Sequence, residues 1–188
     1  VAAGTKVGYD FTGYFDSAVK GIQLYKVCNV HGACAIVNTS VWSGVEHSYY
    51  LYKRDGDLTI YAHYTPRNDT KYVINHYLMT VDGTAYELRD IDHKEGTSDK
   101  VITVSDYQKH YNGFTYAGGK GTDKASAEKP SQLDITTTIS ADGSRVINLY
   151  YTRNKYNLTV KPNGGTYDGK SSDSVFNMFY QATKVMNK

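Results

Sequence analysis

Hydrophobic and polar positions alternate along much of this chain. In Leu58-Thr-Ile-Tyr-Ala-His-Tyr64 the pattern places Leu58, Ile60, Ala62 and Tyr64 on one face of a strand. Ile135-Thr-Thr-Thr-Ile139 alternates likewise, and threonine suits a pleated, half-buried surface. Tyr72–Met79 and Val146–Tyr151 are apolar on both faces, which predicts strands in the middle of a sheet. Asp-Gly pairs at 55–56, 82–83, 142–143 and 168–169 predict tight turns. Helical signals are few. Ser105–Tyr111 predicts two turns capped by Ser105, and Asp16–Lys20 a single turn. Ser174–Val185 fits either period, and the β-rich surroundings favour a strand. The expected class is mainly β (α+β), with antiparallel or mixed sheets and one or two short helices.

An internal echo suggests where modules meet. Tyr61-Ala-His-Tyr-Thr-Pro-Arg-Asn-Asp-Thr-Lys-Tyr72 resembles Leu149-Tyr-Tyr-Thr-Arg-Asn-Lys-Tyr156. Each is a strand end, a polar joint containing Thr, Arg and Asn, and a new strand opening with Lys-Tyr. Two copies of one joint, about 87 residues apart, point to modules joined head to tail, with junctions near Arg67–Asp69 and Arg153–Asn154.

Composition narrows the picture. The 188 residues allow one large domain or two modules of roughly 90. Lys plus Arg is 21 against 19 for Asp plus Glu, which makes no electrostatic case for nucleic acid or an anionic membrane. No run of 18 apolar residues is present, so no membrane insertion is expected. Tyr is 19 while Phe is 5 and Trp 1, a bias suited to thin, half-wet sheets. The opening Val1–Asp10 lacks the charged and apolar regions of a signal peptide, so an exported protein would carry this stretch internally.

Candidate chemistry is sparse. Cys28-Asn-Val-His-Gly-Ala-Cys34 reads as strand, turn at His31-Gly32, and strand, which could hold two sulfurs in bonding range. In an exported protein a Cys28–Cys34 disulfide is expected. A metal site of Cys28, His31 and Cys34 lacks a visible fourth ligand, and free thiols are the third reading. None of the six histidines has metalloenzyme spacing, and strand-borne His63 and His76 read as ordinary sheet residues. Gly118-Gly-Lys-Gly-Thr122 lacks phosphate-loop spacing and reads as a loop. Asp55 and Asp57 read as a turn rather than calcium ligands. Asp90 and Asp92 point the same way along a strand, a poor glycosidase signal by itself. The sequons at Asn38, Asn68 and Asn157 read as chance. Lys71 and Asn148 are strand-borne candidates for an isopeptide crosslink. No catalytic, metal or cofactor residue is expected, nor any cofactor, and the chain is not expected to be an enzyme.

At the joints the sequence resembles two families of repeats from Gram-positive surface proteins. Lys71–Asn154 resembles a mucin-binding-protein-like module. The likeness is carried by Tyr72-Val-Ile-Asn-His-Tyr-Leu78, Asp82-Gly83, Tyr111-Asn-Gly-Phe-Thr115 and the closing run Ile139–Asn154, its most specific part. The flanks resemble an internalin-type B-repeat, the Listeria–Bacteroides repeat, in two parts. Leu158-Thr-Val-Lys-Pro-Asn-Gly-Gly-Thr-Tyr167 is similar to its opening. Gly8-Tyr-Asp-Phe-Thr-Gly-Tyr-Phe15 is similar to its middle, and Gly56-Asp-Leu-Thr-Ile-Tyr-Ala-His-Tyr64 to its end. Tyr14 and Tyr64 stand where the family commonly has Trp, and the insertion Val19–Tyr50 departs from it.

The resemblance implies tandem β-grasp-like modules: 1–68 as the later part of a B-repeat, 69–154 as the mucin-binding-like module, and 155–188 as the first part of a following B-repeat. It implies secretion, a bacterial cell-wall location, and a non-catalytic adhesin or stalk segment. The alternative is a module that binds host glycans or mucin through Tyr-rich sheet faces. Written end before beginning, residues 158–188 and 1–66 form one module of 97 residues. Residues 158–188 then either fold back onto 1–66 of the same chain or, the favoured expectation, dock on neighbouring copies head to tail by strand complementation. A self-contained sheet at 158–188, or one packed only on 71–154, would argue against that split.

Overall fold

The computed structural model describes residues 3–28, 34–36, 42–46, 49–52, 57 and 59–186, with side chains over 3–24, 57 and 59–186. The strands are β1 (Tyr9–Phe15), β2 (Gln23–Cys28), β3 (Cys34–Ile36), β4 (Trp42–Glu46), β5 (Tyr49–Tyr52), β6 (Tyr61–Pro66) and β7 (Thr70–Met79). They continue with β8 (Tyr86–Gly96), β9 (Val101–Thr103), β10 (Phe114–Thr122), β11 (Thr136–Thr138), β12 (Val146–Arg153), β13 (Lys155–Val160) and β14 (Ser174–Phe179). The chain is mainly β, as its alternation predicts.

The expected helices shrink. Around Ser105 there is only a single 3₁₀ turn, Val104–Tyr107, whose N-cap Thr103 makes no side-chain capping bond. So short a segment does not nucleate a helix by itself. Tertiary contacts hold the turn: Val104 is fully buried, and the Tyr107 hydroxyl lies 3.0 Å from that of Tyr72. Asp16–Lys20 is a bend in which side chains replace helical bonds. Asp16 Oδ1 accepts the Ile22 N–H at 2.7 Å.

By contact the chain divides into two units, 1–70 with 96–99, and 71–95 with 100–188. In the second unit, β12 and β7 pair in parallel at the centre of the sheet β10-β12-β7-β8. Both strands are largely buried on both faces. One face carries the core of Tyr72, Ile74, Val104, Ile139, Ile147, Leu149 and Tyr151. The small sheet β9–β11 continues that layer, tied by Ile139 N–H to Lys100 C=O at 3.0 Å.

Gly118–Thr122, expected as a loop, lies within β10. Its glycines answer to packing. A Cβ on Gly119 would stand 2.5 Å from Leu149 and 2.6 Å from Val104, and one on Gly121 would stand 2.1 Å from Thr137 Oγ1. The Asp-Gly turns form as expected at 82–83 and 142–143, where Gly83 and Gly143 bond back to Thr80 and Ser140. At 168–169 both residues have positive φ, 51° and 71°, closing a two-residue hairpin turn between Tyr167 and Lys170. Asp55-Gly56 lies outside the described residues.

In the first unit the sheet order is β3-β2-β1-β6, all antiparallel, and β4 pairs with β5. Leu24 is its fully buried apolar residue among those described. Phe11 meets the edges of Tyr14 and Tyr64 at 5.0 and 5.7 Å.

The pair β1–β6 repeats the pair β10–β12 in detail. Gly8 and Gly113, at φ 73° and 77°, each precede an aromatic residue that opens a strand. Tyr9 N–H bonds to Lys6 C=O and Phe114 N–H to Tyr111 C=O, both at 3.1 Å. Each strand then bulges at the same place, between Phe11 and Gly13 and between Tyr116 and Gly119. Phe11 is paired with Tyr64 and Tyr116 with Tyr151, with ring centroids 5.7 Å apart in both.

Candidate functional site

The one densely titratable cluster among the described side chains lies under the sheet of the second unit. His76, on central β7, is fully buried. Its Nδ1 lies 2.9 Å from the Tyr151 hydroxyl, and its Nε2 3.3 Å from Asp92 Oδ2. The Lys109 N–H donates to the Tyr151 oxygen at 2.9 Å. That leaves the one Tyr151 proton for His76 Nδ1, so Nε2 carries the imidazole proton and gives it to Asp92. Lys109 Nζ closes the circuit on Asp92 Oδ1 at 2.7 Å. Burial, aided by the Lys109 charge, holds the His76 pKa below its ordinary value. The Lys109 hydrogen bond holds Asp92 low, and burial pushes Tyr151 up to about 12. Tyr111, also raised by burial, donates to Asp90 Oδ2 at 2.5 Å. Every polar atom of His76 thus has a partner, and none of the ring faces solvent. The arrangement ties the Lys109 segment to the sheet.

The other face of the sheet is a polar and aromatic ladder set by the parallel register, Asn75 beside Asn148 and Tyr77 beside Tyr150. Asn75 Nδ2 donates to Asn148 Oδ1 at 3.2 Å, and Asn148 Nδ2 donates to Thr122 Oγ1 and Lys124 C=O at 3.2 and 3.0 Å. Tyr77 stacks on Tyr150 at 5.6 Å, and Tyr86 meets Tyr150 edge-on at 5.4 Å. The Tyr150 hydroxyl is 2.9 Å from both the Ser126 and Glu128 carbonyls. Tyr72, Tyr77, Tyr150 and Tyr151 are all buried, so none presents a ring to a ligand.

The expected joint at Arg153–Asn154 is densely hydrogen-bonded. The Arg153 Nε donates to Met79 C=O at 3.0 Å, and Nη1 to Tyr180 C=O and Gln181 Oε1 at 3.0 and 2.8 Å. Its guanidinium sits 4.6 Å over the Phe114 ring. Asn154 N–H bonds to Gly113 C=O, and Tyr180 N–H to Asn154 C=O, both at 2.8 Å. Phe179 and Tyr180 press against Gly83 and Gly113, where a Cβ would clash at 2.5 and 2.1 Å. A polar cleft of about 400 Å³ opens beside Arg153, reaching Glu87, Arg89, Asn112 and Gln181. The joint at Arg67 repeats the backbone pattern. Arg67 N–H bonds to Gly8 C=O at 2.9 Å, and Ser98 N–H to Arg67 C=O at 2.8 Å. There Arg67 forks onto Asp69 at 2.9 and 2.5 Å and reaches Asp10 at 3.3 Å.

Beyond Asn154, β13 and β14 form a two-stranded antiparallel ribbon. It has no core of its own: no residue from 155 to 186 is buried. Its base packs on Gly83, Gly113 and Phe114, all within 71–154, which counts against the expected split module, while Tyr156 and Leu158 are 55% and 39% exposed. With Met178 and Met186 they line an apolar groove of about 440 Å³.

No family model matches the chain, and neither a curated protein nor a solved structure does.

The other candidate residues fall as follows. Cys28 and Cys34 are directly opposed backbone partners on β2 and β3, the spacing a cross-strand bridge needs, and His31 lies outside the described residues. Lys71 and Asn148 are not brought together. The ladder partner of Asn148 is Asn75, four residues or about 13 Å along the strand from Lys71. Asp90 and Asp92 share a face but serve Tyr111 and Lys109 separately. Among the described residues no group of three His, Cys, Asp or Glu could hold a metal. The sequence reads His76 only as a sheet histidine and Tyr180 only as part of the strand pattern at 174–185. The Gly113 that admits Tyr180 was visible, but not what it admits.

Proposed function

We propose that this chain is a non-catalytic stalk segment of a secreted bacterial cell-surface adhesin, in which β-modules follow one another in series. The observation that carries this is the duplication of one structural element. The β1–β6 and β10–β12 pairs share glycine positions, bulge, aromatic pair and the bond that closes each joint. A structure built by repeating a module and its joint is suited to extension. The buried His76 circuit supports a mechanical rather than chemical role.

The resemblance to mucin-binding modules supports a second reading, glycan binding, with the polar cleft beside Arg153 as its candidate surface. A mucin pull-down and glycan array with the purified chain separate the two. The stalk reading expects no saturable retention. Saturable binding that Arg89→Ala or Gln181→Ala weakens would replace it with the glycan reading.

A further inference from the structure

We propose that the parallel ladder of β7 and β12 is a load-bearing clamp: tension along the chain shears it, so that its contacts must break together. This rests on the reading of the chain as a stalk segment and names the element that carries the load.

The direction of loading follows from where the chain enters and leaves the second unit. Strand β7 opens at Thr70, straight after the first joint, and β12 ends at Arg153, at the second. The two lie side by side in parallel, from Val73 beside Val146 to Leu78 beside Tyr151. Load therefore enters at the start of β7 and leaves at the far end of β12, drawing the two strands past each other along their own length. Every pair in the ladder is then strained at once. In an antiparallel hairpin pulled by its two ends the pairs open one at a time, and each needs only its own force. The ribbon β13–β14 has that second geometry, with Lys155 opposite Phe179 at its base.

The contacts suit the load. From Ile74 to Tyr77 and from Ile147 to Tyr151 every residue is buried, so water is not at hand to replace a strained bond. Side-chain ties from β12 to β7 back the ladder at successive levels. Asn75 Nδ2 donates to Asn148 Oδ1 at 3.2 Å, Tyr77 stacks on Tyr150, and the Tyr151 hydroxyl lies 2.9 Å from His76 Nδ1. At the exit, Arg153 Nε donates to Met79 C=O at 3.0 Å. A slip of one residue would turn every side chain of β12 to the opposite face, so no adjacent register offers a halfway stop. The buried Asn75–Asn148 pair fits this role. Amides are costly to bury, and apolar contact is non-directional, whereas a hydrogen bond between two strands resists their sliding.

Single-molecule stretching of the full chain from two pairs of points tests the clamp. Tethers at positions 71 and 155 shear the ladder. Tethers at 71 and 144 peel it, because the bond from Val73 N–H to Arg145 C=O holds those points at the same end. Lys71, Ser144 and Lys155 are exposed, so attachment leaves the core intact. At one loading rate the shearing pair should need roughly twofold or more the force of the peeling pair, and should release about 250–300 Å of chain in a single step. Asn75→Ala should lower the shearing force and leave the peeling force unchanged, since peeling peaks on the first pairs of the ladder. Equal forces from the two tether pairs, or a shearing trace that opens in small steps, would overturn the clamp. A variant that lowers both forces alike would show that the Asn pair serves stability in general and not the clamp. Neither result touches the stalk reading, which the glycan experiment decides. Saturable mucin binding would remove that reading while the directional forces stood.

Discussion

Replacing Arg153 tests whether the joint, rather than the ribbon itself, orders residues 155–179. An isolated two-stranded hairpin is marginal in water, so the ribbon depends on its base. Arg153 donates three hydrogen bonds there, to Met79 C=O, Tyr180 C=O and Gln181 Oε1, and covers Phe114. Bonds from a charged donor contribute about 1.5–3 kcal/mol each when well buried. Arg153 is only half-buried, and water recovers part of each bond in the Ala variant. A net loss of about 2–3 kcal/mol is reasonable, a roughly 30- to 150-fold rise in the population of undocked ribbon. Tyr180 N–H to Asn154 C=O survives and limits the loss. Hydrogen exchange on the full chain reads this directly. In Arg153→Ala, amides of β13 and β14 should lose at least tenfold protection, while those of β7 and β12 change little. Arg153→Lys should behave more like Ala than like wild type, because one ammonium cannot reach acceptors on three sides. Ribbon amides unchanged in Arg153→Ala, or β7 amides loosened equally, would show that Arg153 does not hold the ribbon.

Further outcomes follow from single contacts. Tyr151→Phe leaves His76 Nδ1 and the Lys109 N–H without a partner and should cost about 1–3 kcal/mol in urea unfolding; an unchanged midpoint would refute the circuit. His76 has its pKa depressed in the folded state, so the unfolded chain takes up its proton first. Stability should therefore be full above about pH 6.5 and decline as pH falls below it, with a shallower slope in His76→Asn; equal slopes would show that His76 is not the group responsible. Gly113→Ala should destabilise by about 1–3 kcal/mol and loosen the ribbon, because its Cβ would lie 2.1 Å from Tyr180 at φ 77°. Gly169→Ala, with similar φ and nothing within 4 Å, should cost only about 1 kcal/mol and leave the ribbon docked. A thiol titration without reductant should find no free cysteine, and two reactive thiols would refute a Cys28–Cys34 bridge. Removing that bridge should cost less than usual, since the loop between residues 28 and 34 is short.

Much of the fold is legible residue by residue. Tyr72–Met79 and Val146–Tyr151 read as central because apolar side chains occur on both faces, though Asn75, His76 and Asn148 are buried among them, and the two joints sit where Thr, Arg and Asn interrupt strand periodicity. Periodicity gives a strand two faces but does not name its neighbours. The parallel pairing of β7 with β12, strands separated by about 70 residues, was therefore out of reach. Gly118–Gly121 misled for a related reason: glycine marks a loop when its freedom matters, and a strand when Leu149, Val104 and Thr137 need the space. Ser105 has the right residue type for a helix cap, but the following turn ends at Tyr107 and its cap bond is never made. Arg153 was visible as part of a joint, while its acceptors Tyr180 and Gln181 lie 27 and 28 residues away, beyond any local pattern.

The tyrosine count was the feature most open to misreading, since nineteen rings suit a glycan surface as readily as a core. In the second unit the buried rings use their hydroxyls within the fold. Phenylalanine would bury as much apolar area, yet the chain has only five. Both faces of the second unit's sheet are covered largely by irregular segments, around 104–111 on one side and 123–130 on the other. Such segments leave backbone groups without ladder partners, and each must be satisfied. Tyr150 meets the Ser126 and Glu128 carbonyls, and Tyr151 accepts the Lys109 N–H. Tyr72 meets Tyr107, and Tyr111 on the covering segment reaches back to Asp90. In each case one side chain supplies a ring to the packing and a hydroxyl that ties segment and sheet together. A thin module with almost no helix needs both from the same residue, and tyrosine is the side chain that provides them.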